Sequence, residues 1–588
     1  MKRKCIAVGI ILLFVGTCII PAIAQDIEKS SLATSSGNWL YVGGSGPGNY
    51  TKIQDAVDNA SDRDTVFVYS GVYYEQVIIN KTLNLIGENK YNTIIDGNGS
   101  IYIVEVKWRD STYITKFTFR NSQKATEHHY RGGITCINDA DKVLIRNCVF
   151  LNNSFGINFV EYGSTGNIVS DCVFMNNDAG IFCGAERTTI MRNTITDNNI
   201  GIFLKLAFRC NLYENDISNN GVGILLDISN DYTIIEHNTI CLNGVGIEFR
   251  NGNYYNEINE NNISSNDGYG IFFSDEGWMF RNLENKIYKN NICKNKRAGI
   301  YAYNMNAEPD EKLLISCNVI NDNGEEGIFI YDYQNFTISG NHIQKHEIGI
   351  KVEYGQNHQI TFNNISDNDI GIKISTNLNI IYHNNFINNG QNAFDEGNNQ
   401  WDNGYPSGGN FWSDYNGRDN YQGPNQDIQG SDGIGDVPYD VPEGTNQDKY
   451  PLMKPWNISN DPPDKPNQPS GETNGKIGRQ YFYTTNTTDP DGDQVYYLWD
   501  WGDGSTSIWF GPYDSGITFN THHNWTIKGS YSIKVKAKDI YGNESVWSDP
   551  LPITMPFSYH WTLLQLLQRF PHAFPILRHL LEWESMKL

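Results

Sequence analysis

A Gly-Ile pair recurs at residues 133, 156, 180, 201, 223, 246, 270, 299, 327, 349 and 371, at spacings between 21 and 29 residues. An Asn-x-Ile element precedes the pair, as in Asn193-Thr194-Ile195, Asn215-Asp216-Ile217, Asn238-Thr239-Ile240 and Asn363-Asn364-Ile365. So regular a period marks a repeat protein, in which one unit cannot bury its apolar face alone and must stack on the next. Within the units, the isoleucine and the residue two further on are both apolar: Ile202 and Leu204, Ile224 and Leu226, Ile328 and Ile330. Alternation of period two means strands. A unit of roughly 22 residues holds two or three short strands joined by Asn and Gly turns, and the economical solution is an all-β, right-handed parallel β-helix. The leucine frame of leucine-rich repeats is missing, and an up-and-down barrel would not hold one period throughout.

The asparagines form a column: Asn193, Asn215, Asn238, Asn261, Asn290, Asn318, Asn341, Asn363 and Asn384. Stacked inward-facing amides can donate to one coil and accept from the next, which satisfies polar groups that would otherwise be buried alone. Cys148 and Cys172 occupy the same column one coil apart. Cys136 and Cys183, like Cys241 and Cys293, stand two coils apart, and at ~4.8 Å per coil that exceeds disulfide reach. Most of the eight cysteines beyond residue 24 are therefore expected as free thiols, with Cys148–Cys172 the one pair a bridge could join.

Residues 1–24 read as an export signal: Lys2, Arg3 and Lys4 precede an apolar run from Ile6 to Ile20, and Ala22-Ile23-Ala24 offers a small-x-small cleavage site. The expected location is secreted, extracellular or on the cell surface. With 67 Asp and Glu against 44 Lys and Arg, the chain repels phosphate backbones, so nucleic acid is excluded as a partner. Residues 557–588 gather Trp561, Leu563, Leu564, Leu566, Leu567 and Phe570, then Ile576, Leu577, Leu580 and Leu581, broken by Pro571 and Pro575. Each half is too short to span a bilayer and reads as an amphipathic helical tail, for the cell envelope, another protein or its own chain.

Ahead of the repeats, Ile53, Ala56, Val57 and Ala60 share one helical face, followed by a strand-rich run from Asp64 to Gly87. This resembles the opening of pectate-lyase-like β-helices, where a helix plugs the open coil end. The stretch from about residue 38 to 453, closing with Asn410-Phe411-Trp412-Ser413-Asp414-Tyr415 and Asp448-Lys449-Tyr450-Pro451-Leu452, resembles the NosD-like and carbohydrate-binding and sugar-hydrolase β-helix families. The β-helix with its cap is assigned to 38–395, a closing segment to 396–459 and a Pro-rich linker to 460–470. Residues 471–556 contain Trp499-Asp500-Trp501-Gly502-Asp503-Gly504 and resemble a PKD domain, which implies an immunoglobulin-like sandwich. Fold carries over from such resemblances better than function, because this scaffold hosts lyases, hydrolases, adhesins and inert frames.

The residue after each Gly-Ile from Gly156 to Gly371 should face outward, giving Phe182, Phe203, Phe272, Tyr301 and Phe329 among ten such positions. A stripe of rings on a parallel sheet is a stacking platform for sugars, unless another segment covers it. Two residues on, Lys205, Asp227 and Arg250 are neighbours one coil apart, an arrangement that serves an acid or base beside cations, or a solvated ion-pair ladder. A glycosidase requires two carboxyls about 5 to 10 Å apart, and Asp332 with Glu353, one coil apart, come nearest. Oxygen-rich loops at Asp427, Asp432, Asp436 and Asp440, and at Asp489, Asp491 and Asp493, are calcium candidates; Asx turns account for them equally. Copper handling, implied by the NosD resemblance, requires clustered soft or imidazole ligands, which scattered His and Met do not supply. The leading expectation is glycan recognition on the solenoid without turnover, and the second a polysaccharide lyase or hydrolase.

Overall fold

The computed structural model describes residues 37–555, apart from 108–110, 124–131, 138–139, 161–163, 276–281, 283, 305–311, 457–460, 491 and 540–542. The signal-like segment 1–24 and the tail 557–588 lie outside the described residues. The chain divides into two compact units, one of Met1–Glu257, Asn261–Asn285 and Lys294–Asn306, the other of Ile258–Glu260, Lys286–Cys293 and Ala307–Leu588.

Each coil contributes one strand to each of three parallel sheets. One coil runs Thr189–Met191, Thr194–Thr196 and Ile200–Lys205; the next runs Asn211–Tyr213, Asp216–Ser218 and Val222–Asp227. Register is kept residue for residue, with Ile190 against Leu212, Ile195 against Ile217 and Ile202 against Ile224. Ile134 lies directly against Ile157, so the bore is filled by the isoleucines that the repeat places there. The third sheet, which carries the Gly-Ile pairs, has the longest strands.

The pairs require glycine because the backbones of successive coils approach closely there. A Cβ on Gly223 would lie 2.5 Å from the carbonyl oxygen of Gly246 and 3.0 Å from Ile240, closer than side-chain carbons pack. Between the first and second sheets the turn is made by one residue in the left-handed region, such as Arg192, Glu214 and His237 at φ of 53°, 55° and 54°. Each such residue costs about 1 kcal/mol or more. The asparagine that follows offsets it: Asn215 Nδ2 donates to Asn238 Oδ1 at 2.9 Å, and the Asn215 backbone N–H donates to the same oxygen at 3.0 Å. The ladder begins with sulfur, for the Cys148 N–H points at Cys172 Sγ at 3.4 Å and the Cys172 N–H donates to Asn193 Oδ1 at 3.0 Å. Both thiols are free, as are all eight described cysteines, so the Cys148–Cys172 bridge is not formed.

A second ladder, not foreseen, lines the turn between the second and third sheets. It passes through Asn153, Asn177, Asn198, Asn220, Asn243 and Asn266 in the first unit, with amide-to-amide bonds such as Asn220 Nδ2 to Asn243 Oδ1 at 3.0 Å. In the second unit a ladder of the same kind passes through Asn323, His346, Asn368 and Asn389.

The plug at the start is the helix α1, Ile53–Asn59, with Ile53, Ala56 and Val57 buried. Its free N–H groups are taken by Glu75, which accepts from Ile53 and Gln54 at 3.0 and 3.1 Å. Its last carbonyls are taken by Lys81 Nζ, which donates to Val57, Asp58 and Ala60. These charges match the sign of each helix end. After the last coil, Trp412 stacks on Phe386 at 4.5 Å, and Asp448 and Asp395 accept the indole N–H groups of Trp412 and Trp401 at 2.9 and 2.7 Å. Beyond the linker, a three-stranded and a four-stranded antiparallel sheet form a sandwich around Tyr483, Tyr497, Trp499, Trp501, Trp525 and Val535.

Candidate functional site

Outward side chains of the third sheet stack in register, because each long strand exposes every second residue. In the first unit, Asn158, Phe182, Phe203, Leu225, Glu248, Phe272 and Tyr301 follow one another coil by coil. In the second, Phe329, Lys351, Lys373 and Phe394 do the same. Facing outward is not the same as being open. Phe182 is 3% exposed and packs on Phe155 and Phe203 with ring centres 5.5 and 5.1 Å away, so it belongs to an outer apolar cluster and not to a free platform. Asn158, Leu225 and Glu248 are buried as well. Phe203 stays half-buried, so the expected stripe is interrupted, with Leu225 and Glu248 buried between it and Phe272.

The rings beyond the break converge. Tyr269, Phe272 and Tyr301 have ring centres 4.8, 5.1 and 5.5 Å apart, and Phe272 and Tyr301 are near-parallel at 15°. Tyr303 adjoins Tyr301 at 6.3 Å. All four rings are half-buried, and the exposed Arg297 lies over Tyr269 and donates to its hydroxyl at 2.7 Å. Tyr269 was not singled out from sequence, because it precedes the glycine at a position where other coils carry Ile200, Val222 and Val245. An aromatic on each side of one Gly-Ile pair was the available signal.

Lys205, Asp227 and Arg250 are neighbours in register, as expected. Arg250 Nε binds Glu248 Oε1 at 2.6 Å along its own strand, and Asp227 Oδ1 accepts from Asn251 at 3.3 Å. Glu248, the carboxylate that Arg250 binds, is buried.

The second unit brings such groups closer together. Lys351 Nζ lies 3.4 Å from Glu326 and 3.3 Å from Glu353, and 4.2 Å from the centre of the Phe329 ring. Tyr331, in register with Glu353, stands edge-on to Phe329 at 6.1 Å and 4.9 Å from Tyr354, which is 60% exposed. Burial pushes the Glu326 carboxyl above the usual range, against the pull of Lys351. Asp332 sits at the corner just past Tyr331, donates its N–H to the Glu353 carbonyl at 2.9 Å, and is also raised by burial. Glu326, not Asp332, is the carboxyl that shares a cation with Glu353. It too stands before its glycine, where Ile348 and Ile370 follow on the next coils.

Four of the calcium candidates, Asp432, Asp436, Asp440 and Asp489, accept hydrogen bonds from the chain. Asp432 accepts from the N–H groups of Gly423 and Ile434, Asp436 from Asn420 and Tyr421, and Asp440 from the Gln447 amide. Asp427 is exposed, Asp489 accepts the Asp493 N–H at 3.2 Å, and Asp491 lies outside the described residues. Among the described residues no group of three or more His, Cys, Asp or Glu is placed to hold a metal ion.

Comparison with known proteins places the fold. The family model for periplasmic copper-binding protein (NosD) matches residues 57–270 and 266–417, and the PKD domain model matches residues 469–549. The chain belongs to the NosD family, and it carries a PKD domain after the β-helix. It is 33% identical over 104 residues to probable pectinesterase 8 of Arabidopsis thaliana, a match taking in 17% of this chain and 24% of that protein. Among solved structures, the PKD domain of a peptidase from a Thermoplasmatales archaeon is 50% identical, covering 17% of this chain and all of that one, with TM-score 0.16. The A-module of mannuronan C-5 epimerase from Azotobacter vinelandii is 13% identical, covering 59% of this chain and 92% of that one, with TM-score 0.31.

The family description raises copper. Such a site requires clustered imidazole or sulfur donors. Here His346 and His358 are each buried within the coils, and burial holds both below the ordinary imidazole range, to about 4 and about 3. Cys136, Cys148, Cys172, Cys183 and Cys210 are buried as well. The described residues do not fit a copper site.

Proposed function

We propose that this protein binds glycans on the outer face of its third sheet, as an exported protein of the cell surface. The observation that carries the reading is the cluster of Tyr269, Phe272 and Tyr301, three half-buried rings within 4.8–5.5 Å of one another on adjacent coils. Flat rings held by a rigid sheet lose little entropy on binding and match the apolar faces of pyranose rings. The formal charge of −23 favours neutral glycans over polyanions. The cationic, apolar start of the chain and the PKD domain support export, and the tail 557–588 is assigned to contact with the envelope or another protein.

Retention on immobilised neutral polysaccharides tests the reading. Replacing both Phe272 and Tyr301 by alanine should lower affinity at least tenfold, which corresponds to about 1.4 kcal/mol. Unchanged affinity with the fold intact would refute it.

A further inference from the structure

The left-handed corner between the first and second sheets carries large side chains such as Arg192, Glu214 and His237, but two neighbouring coils of the second unit place Cys317 and Gly340 there. The positions stack coil on coil: the Lys289 N–H donates to the Ser316 carbonyl at 3.2 Å, the Cys317 N–H to Ser339 at 3.1 Å and the Gly340 N–H to Thr361 at 3.2 Å. Two small residues in succession leave a notch in the corner, bounded by Lys289 on one side and Phe362 on the other.

The PKD sandwich reaches this corner, and both sides of the contact belong to the second unit. Lys286, three residues before Lys289, donates from Nζ to the Tyr496 hydroxyl at 3.2 Å and stands 5.1 Å from the centre of the Tyr496 ring. Lys538, in register with Tyr496 inside the sandwich, lies 5.6 Å from the same ring. Asp539 is in register with Val495, so Asp493 and Asp539 close the same end of that strand pair. Burial pushes the Cys317 thiol up to about 12; the charges of Asp539 and Asp493 push the same way, and Lys289 pulls against them. The solenoid therefore brings two lysines to the seam, and the sandwich brings a ring face and two carboxylates. An ammonium on a tyrosine ring and opposite charges across a partly dry seam both attract.

We propose that the PKD sandwich docks on its own chain at this notch, held by Lys286 on Tyr496 and by Lys289 against Asp493 and Asp539, and that salt releases it. Polar seams between domains open more readily than apolar ones, and screening weakens the charge pairs that close this one. Asp493, a calcium candidate by sequence, has a lysine of the solenoid as its counter-ion in the docked state. Cys317 lies beneath the joint and is bared when the joint opens. The docking is independent of glycan binding on the third sheet.

The full chain is treated with N-ethylmaleimide, an uncharged reagent, and labelling of the half-buried thiols Cys241, Cys293 and Cys317 is followed by peptide mass spectrometry. Raising salt from about 0.01 M to about 1 M shortens the screening length from about 30 Å to about 3 Å and should speed labelling of Cys317 at least about tenfold, with Cys241 and Cys293 changing less than about twofold. Lys289→Glu places at this corner the residue that Glu214 and Glu260 supply on other coils, and should give fast labelling of Cys317 at low salt. Adding Asp493→Lys to it should slow the labelling again, and Tyr496→Ala alone should act as Lys289→Glu does. Hydrogen exchange in the strands Leu313–Ser316, Thr337–Ser339 and Gly529–Asp539 shows that coils and sandwich stay folded, and the salt titration of the unaltered chain needs no variant. Labelling of Cys317 in the unaltered chain as fast at low salt as that of Cys241 and Cys293, no acceleration by salt, or slow labelling in both Lys289→Glu and Tyr496→Ala overturns the proposal.

Discussion

His346 stands in a ladder that asparagine otherwise fills, and it gives the coils around it a dependence on pH. Its backbone N–H donates to Asn368 Oδ1 at 3.0 Å, its Nδ1 lies 3.2 Å from the same oxygen, and its Nε2 lies 3.1 Å from Asn323 Nδ2. Only the neutral ring protonated on Nδ1 satisfies both side-chain contacts, because a second proton on Nε2 would face the Asn323 amide hydrogens. Burial therefore holds the ring down to about 4, against 6.5 in the unfolded chain. With the folded value depressed, the unfolded state takes up the proton first; the full contribution is present above pH 6.5 and is lost as pH falls toward 4. Between pH 7.5 and 4.5 the loss is about 2.5 kcal/mol.

His346→Asn restores the side chain that the column uses on either side and removes the titration. Hydrogen exchange of the peptides spanning 319–370, corrected for the intrinsic pH dependence of exchange, reads the local stability. The variant should match the wild type at pH 7.5 and retain about 2.5 kcal/mol more protection at pH 4.5. Equal losses in the two proteins would refute the reasoning, as would a destabilised variant at pH 7.5. His358, held to about 3 by burial, contributes equally to both proteins and cancels in the comparison.

Asp448 works in the opposite sense. Burial pushes it up to about 7, so its share of stability is present at acid pH and declines as pH rises from about 4 to 7; Asp448→Asn should flatten that decline in urea titrations, by at most about 4 kcal/mol. Asn238→Ala leaves the Asn215 N–H and the Leu212 and Glu236 carbonyls without their amide partner and should cost about 3 kcal/mol or more in urea unfolding. Gly223→Ala forces a methyl against the Gly246 carbonyl and should cost at least about 2 kcal/mol in the same assay. Cys136, Cys148, Cys172, Cys183 and Cys210 should react with a thiol reagent only after unfolding, as a stopped titration would show.

The winding of the chain was legible because two constraints repeat once per coil. Gly-Ile marks where backbone approaches backbone, and Asn marks where a left-handed corner leaves amides to satisfy. The second ladder was not legible, since Asn153, Asn177 and Asn198 sit in turns already rich in asparagine, where an inward amide and an outward one look alike. Period-two alternation gave the direction of each side chain correctly but not what lies above it, so Phe182 was expected to be open and is packed against Phe155 and Phe203. Tyr269 and Glu326 occupy positions that apolar residues hold on adjacent coils, and only the folded arrangement brings them beside Tyr301 and Lys351.

The account turns on where a glycan lies. Hydrogen exchange of the full chain with and without a neutral oligosaccharide locates it directly. Protection is expected in the strands Ile271–Asp275 and Ile300–Asn304 of the third sheet. Protection confined to the sandwich strands between Tyr481 and Met555, or none at saturating ligand, would contradict it.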